Sequence, residues 1–186
     1  SCLSWIAGLT QQKESELIDK LESRPFKPGN LCFLPYLSGD RTPHNNPNAQ
    51  GVFLGLKHEH GALEMTQAIL EGVAYAFGDC QKVLLEAGAE IGEVSLIGGG
   101  SRSRLWGQIL ASVLNRPLNR HEGSELGPAQ GAARLAMLAA GQGSLEQICT
   151  PPQISEVLEP QPSLVMHYQE KQEQYGKIYQ SLEDFF

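Results

Sequence analysis

The sequence predicts an α/β fold, and three observations carry that prediction. The apolar run Glu93-Val94-Ser95-Leu96-Ile97 ends in Gly98-Gly99-Gly100 and passes directly into the amphipathic stretch opening Ser101-Arg102-Ser103-Arg104-Leu105-Trp106. That is a strand, a glycine turn and a helix start in succession. From residue 51 to 140 the order strand, helix, strand, helix recurs, which implies a layered sheet with at least some parallel pairing. Over residues 62–87 the apolar positions Met65, Ile69, Val73, Ala76, Cys80, Val83 and Leu84 fall at three- and four-residue steps, the pattern of a long helix facing a core.

Taken in order, the chain opens without methionine inside a helical pattern, Leu3, Ile6, Ala7 and Leu9, then Leu17, Ile18 and Leu21, an opening that suggests a piece of something longer. Leu31-Cys32-Phe33-Leu34-Pro35-Tyr36-Leu37 reads as a strand, with Pro35 placing it at an edge or an irregularity. Gly51-Val52-Phe53-Leu54-Gly55-Leu56 is a second strand. Between them Ser38 to Asn48 is dense in Gly, Asp, Pro and Asn and is a loop, whose Arg41 and His44 are placed either to meet a substrate or to be solvated and tied to nearby carbonyls. Gly88 stops the long helix, while Gly72 and Ala76 on its apolar face suggest close approach of another backbone.

After the triple glycine, Leu105, Ile109, Ala111, Val113 and Leu114 fill a helix that Pro117 ends, and Leu118-Asn119-Arg120 begins a short strand. Pro128 suits the first turn of a small-residue helix running to Ala140. Residues 150–162, with Pro151, Pro152, Pro160 and Pro162, are expected to form an extended connector. A last helix over residues 165–186 carries Tyr168, Tyr175, Ile178, Tyr179 and Leu182, aromatics expected to pack rather than to bind. No internal repeat is visible.

The 41% hydrophobic and 19% charged composition is enough to build a real core. A net charge of −7 argues against nucleic acid as a partner, since such binding needs a clustered basic face. Cys2, Cys32, Cys80 and Cys149 are far apart, without a CxxC pair, and read as buried reduced thiols rather than disulfides or a metal site. With no run of about 18 apolar residues and no basic leader, no membrane partner is expected and the chain reads as cytoplasmic.

The glycine turn is the candidate for chemistry. Glycines let backbone approach a ligand, and the amides of a following helix favour an anion, so a nucleotide is the guest such a turn suits. The spacing is neither GxGxxG nor a P-loop, and tight packing between strand and helix would explain the glycines equally well.

A longer pattern is more specific. Gly51-Val52-Phe53-Leu54-Gly55-Leu56, then seven residues, then Glu64-Met65-Thr66-Gln67-Ala68-Ile69-Leu70-Glu71 resembles the second signature of the FGGY carbohydrate kinases. Phe33 to Pro47, with its Pro-Tyr-Leu-Ser-Gly-Asp-Arg-Thr-Pro-His-Asn-Asn-Pro run, and Gly127 to Ala136 resemble the branch of that family that phosphorylates D-xylulose, in preference to ribulokinase or glycerol kinase types. The resemblance covers essentially the whole chain. It implies an actin-like ATPase, ribonuclease H-like fold in two domains, with ATP and Mg²⁺ in the cleft and the sugar bound mainly by an N-terminal domain. Residues 1–186 then correspond to a portion of the C-terminal, nucleotide-side domain, with the N-terminal domain outside this chain.

The resemblance also implies that nucleotide contacts fall on Gly98, Gly99 and Gly100, with a further contact, often Asn, at Ser103. A serine there offers one hydroxyl in place of an amide's paired donor and acceptor. The family's catalytic Asp and its Gly-Thr phosphate turn lie upstream, so no catalytic residue is assigned here. Asp40, Asp79 and Asp184 are outside the family's catalytic context, and no metal ligands are assigned. The expectation is a xylulose-phosphorylating enzyme of which this chain alone turns over little or nothing, with room for a homodimer. Two other classes remain: a non-catalytic nucleotide-binding module, and an interaction domain whose amphipathic tail, Tyr175 to Phe186, packs on a partner.

Overall fold

The computed structural model describes residues 1–186. The opening helical pattern is two helices, α1 (Cys2–Thr10) and α2 (Glu14–Glu22), because Gln11 turns left-handed at φ 53° and caps the first. Leu17 and Leu21, one helical turn apart, are the buried face of α2. Strands β1 (Cys32–Pro35) and β2 (Gly51–Leu54) form an antiparallel ribbon with Phe33 opposite Phe53. Their rings lie 4.4 Å apart, and Trp5 of α1 stacks near both. The second strand is therefore not in the parallel sheet that its place in the sequence suggested.

Helix α3 (Ala62–Glu86) lies across this ribbon, and Gly88 (φ 83°) follows its end as expected. The close approach foreseen at Gly72 is real, since a Cβ there would overlap the Phe33 carbonyl oxygen. The apolar period misled at the other end of the helix. Val83 and Leu84 are exposed, because α3 outruns the elements it covers.

The main sheet has the order β3 (Val94–Leu96), β4 (Leu118–His121), β5 (Ile154–Leu158), with β3 and β4 parallel and β5 antiparallel to β4. The expected connector over residues 150–162 thus contains a strand. Its four prolines flank the proline-free run Ile154-Ser155-Glu156-Val157-Leu158 rather than interrupting it. The parallel crossover is α4 (Arg104–Leu114), which stops at left-handed Asn115 before Pro117. Next come α5 (Pro128–Ala139), with Pro128 in its first turn, and the short α6 (Leu145–Ile148). Helix α7 (Pro162–Leu182) packs on α4, α3 and β1 and ends in a 3-10 turn at Glu183–Phe185.

The core has two parts. A large cluster joins α3, α4 and α7 to β1 and the sheet through Leu34, Tyr75, Ile109, Leu118, Leu158 and the tyrosines of α7. A smaller one, with Ile6, Leu17, Phe33 and Ile69, seats α1 and α2. All four cysteines are free thiols, but Cys149 is exposed and the other three are half-buried rather than enclosed. In the tail, Tyr175 and Tyr179 are buried within the chain, while Phe185 is exposed. No helix is long and apolar enough to cross a membrane.

Candidate functional site

Strand β3 delivers the chain into Gly98, whose φ of 82° suits only glycine. Its amide donates to the Ser124 carbonyl at 2.8 Å, and the Ser124 hydroxyl donates to that of Ser101, which in turn donates to the Gly98 carbonyl. This stitches the glycine turn to a second one that ends at Gly127, where an added Cβ would make an ordinary contact of 3.6 Å with the Gly98 backbone. Gly98 is thus a structural residue of two interlocked turns.

Gly99 differs. Its φ is ordinary, and a Cβ built on it would meet nothing within 4 Å, so neither conformation nor internal packing requires glycine there. Gly100 lies against the indole of Trp106, with an added Cβ 2.9 Å from Nε1. A 3-10 turn spans Gly99–Arg102, and only then does α4 begin, at Arg104 rather than at Ser101 where the amphipathic stretch opens.

Ser103 caps α4. Its hydroxyl accepts from the Trp106 amide at 3.1 Å and donates to Glu22 Oε1 at 2.7 Å, and the same carboxylate oxygen accepts from the Leu105 amide at 3.1 Å. The anion expected at this helix start is therefore supplied by the chain itself. Glu22 occupies it.

Gly99, Gly100 and Ser103 do come together, on one wall of a cleft of about 610 Å³. The rest of the lining is the start of α1, the face of α2 carrying Ile18, Asp19 and Glu22, which meets Ser103 through Glu22, then Arg102, and a floor of Ile69, Leu70 and Val73 of α3. That volume, with an apolar floor and a few polar groups at the rim, is in the range of small-molecule sites. Gly98 stands behind the cleft and does not line it. Sequence reasoning missed Glu22, Trp106 and the α3 floor. Glu22 reaches Ser103 across 81 residues, and no local pattern marks such a contact.

The other candidates lie elsewhere. His44 stacks on Tyr179, ring centroids 3.5 Å apart, and shares a 3.1 Å hydrogen bond with the Tyr36 hydroxyl, so it belongs to an aromatic packing cluster. Arg41 is exposed, Asp40 accepts from the His44 amide, and Asp79 accepts from Gln172 at 2.7 Å. Burial pushes the Asp79 carboxyl up from the usual range, against the pull of the Gln172 hydrogen bond. None of these, nor Asp184, lines the cleft.

A family model described as the FGGY family of carbohydrate kinases, C-terminal domain, matches residues 5–140. The chain belongs to the FGGY family of carbohydrate kinases. It is 42% identical to the xylulose kinase of Escherichia coli K12 and 40% identical to that of Klebsiella pneumoniae, each over 98% of this chain and 38% of the relative. A crystal structure of a xylulose kinase from Brucella ovis superposes with a TM-score of 0.86 at 39% identity, covering 100% of this chain and 39% of that one. The chain therefore spans well under half the length of the relatives it matches. Its α/β architecture is the actin-like, ribonuclease H-like fold of these FGGY kinases.

The family signature turns out to be scaffold. It runs from β2 into α3 and ends at Glu71, which is 1% exposed and accepts from the Gly29 amide at 3.1 Å, Gln67 Nε2 at 3.0 Å and the Tyr168 hydroxyl at 3.3 Å. Burial raises its pKa, outweighing those three donors and the charge of Lys171. Two signature residues, Ile69 and Leu70, are nonetheless part of the cleft floor.

Proposed function

We propose that this chain is the nucleotide side of an ATP-dependent sugar kinase that transfers the γ-phosphoryl group of ATP to the terminal hydroxyl of D-xylulose, giving D-xylulose 5-phosphate and ADP. The observation that carries the nucleotide assignment is Gly99. A glycine that neither its own φ nor its neighbours require, on the wall of a nucleotide-sized cleft, leaves its backbone open to a ligand. Gly99 and Gly100 would bring backbone up to the nucleotide, and Ser103 would hold the wall behind it. When bound with ATP, Mg²⁺ supplies charge neutralisation at the phosphates. The likeness to xylulose kinases over nearly the whole chain supports D-xylulose as the acceptor.

In this proposal the general base and the sugar site lie in a part of the protein outside residues 1–186. That part also accounts for α5, which has no buried residue and exposes Leu135 and Met137. The test is ADP formation with Mg²⁺, ATP and D-xylulose, by this chain and by the chain joined to an upstream domain. Turnover only in the longer protein, with D-xylulose preferred over D-ribulose and glycerol, is the expected result. Turnover by residues 1–186 alone would contradict the placement of the base, and preference for another sugar would contradict the substrate.

A further inference from the structure

Glu22 does more than cap α4. Its Oε1 is saturated by Ser103 and Leu105, which pins the carboxylate at the cleft rim, while Oε2 makes no hydrogen bond within the chain. Glu14 and Asp19 of α2 line the same cleft and Arg102 is its one cationic side chain, so a polyphosphate laid along α2, away from Arg102, would meet three carboxylates. The adjoining surface, Ile18, Ile69, Val73 and Trp106, is apolar and suits the face of a base. A neutral group with hydrogen-bond donors on its edge fits both features, and a nucleotide has such an edge at its nucleoside end.

Resting on the nucleotide reading above, we propose that Glu22 is a nucleoside-contacting residue, whose Oε2 accepts a hydrogen bond from a ribose hydroxyl or the exocyclic amine of the base. The nucleotide is thereby oriented, with its nucleoside between α2 and Trp106 and its phosphates leading away past Gly99. Through Oε1 the same residue holds Ser103, so the contact is preorganised across two elements that are distant in sequence.

The variant Glu22→Gln separates the two roles. Its carbonyl oxygen still serves Ser103 and Leu105, but the free acceptor becomes an N–H₂ donor facing donors. Calorimetric titration of adenosine, ATP and inorganic tripolyphosphate is the experiment, with the melting temperature as control. E22Q is expected to weaken adenosine and ATP by the same factor, about tenfold, the worth of one hydrogen bond to a charged group, and to leave tripolyphosphate binding and the melting temperature unchanged. The source of the donor follows from analogues on the unmutated chain. A loss on 2′,3′-dideoxyadenosine assigns the ribose, and a loss on inosine assigns the amine.

Adenosine affinity unchanged in E22Q, or full binding of both analogues, overturns the proposal and leaves the nucleotide reading intact. Tripolyphosphate binding that tightens in E22Q while adenosine is unaffected assigns the wall to phosphate and also overturns it. If the unmutated chain binds neither ATP nor adenosine, the nucleotide reading falls and takes this proposal with it.

Discussion

The seam where α7 meets β1 and α3, and the helix α5, are both amphipathic on paper, yet their apolar residues end in opposite places. Along α7, Tyr168, Tyr175 and Tyr179 are at most 2% exposed, and their hydroxyls find Glu71, Tyr36 and Asn46. Along α5, Leu135 is 69% exposed and nothing is buried. The difference lies in what the chain can offer each helix. The seam lies over two layers that residues 1–186 supply themselves, whereas α5 finds as its main neighbour only the four-residue α6. Periodicity marks a face that needs covering, and it does not say whether the cover is within the same chain.

If that contrast is right, truncating the seam should do the greatest damage. Tyr175→Ala removes a fully buried ring together with the donor to the Tyr36 hydroxyl, and a loss of about 4 kcal/mol is expected from denaturant unfolding. A loss below about 1 kcal/mol would mean that the seam is not a cooperative part of the fold.

The charge inside the seam sharpens the comparison through pH. Glu71 has a folded pKa above its ordinary value of 4.5, so the folded state holds the proton more tightly than the unfolded chain. Its contribution is fully present below that value and is lost as pH rises through the higher, folded pKa. Unfolding midpoints of the unmutated chain should therefore decline as pH climbs above 4.5, and Glu71→Gln should flatten the decline. Asp79, also raised by burial, leaves a residual slope of the same sign. An E71Q profile parallel to the parent would place the raised proton affinity elsewhere.

At the other extreme, Leu135→Ser on α5 should shift the stability of residues 1–186 by less than about 0.5 kcal/mol, since it exposes nothing new. In a longer protein that covers this face the same change should cost more. Equal, small effects in both would show that α5 stays uncovered.

How far the sequence revealed this molecule depended on range. The strand, glycine turn and helix at residues 93–114, the Gly72 contact, the stop at Gly88 and the Pro128 helix start are local rules of backbone and size, and they were legible. The strand at Ile154–Leu158 was obscured by prolines on either side of it, and the exposed end of α3 by a period that continues past the elements it packs on. In the cleft, Gly99, Gly100 and Ser103 were legible from the turn and the family resemblance. Glu22 was not, because a side chain reaching across 81 residues leaves no trace in local pattern. His44 looked available in a loop until the fold laid Tyr179 over it.

The most direct test of the nucleotide cleft is the affinity of ATP for Gly99→Val, measured by calorimetry beside its melting temperature. Open space around Gly99 means that the valine should leave the melting temperature within a few degrees of the parent while intruding on the bound nucleotide. The account predicts ATP binding weakened at least tenfold in a variant that is still folded. Undiminished ATP affinity in that folded variant would contradict it.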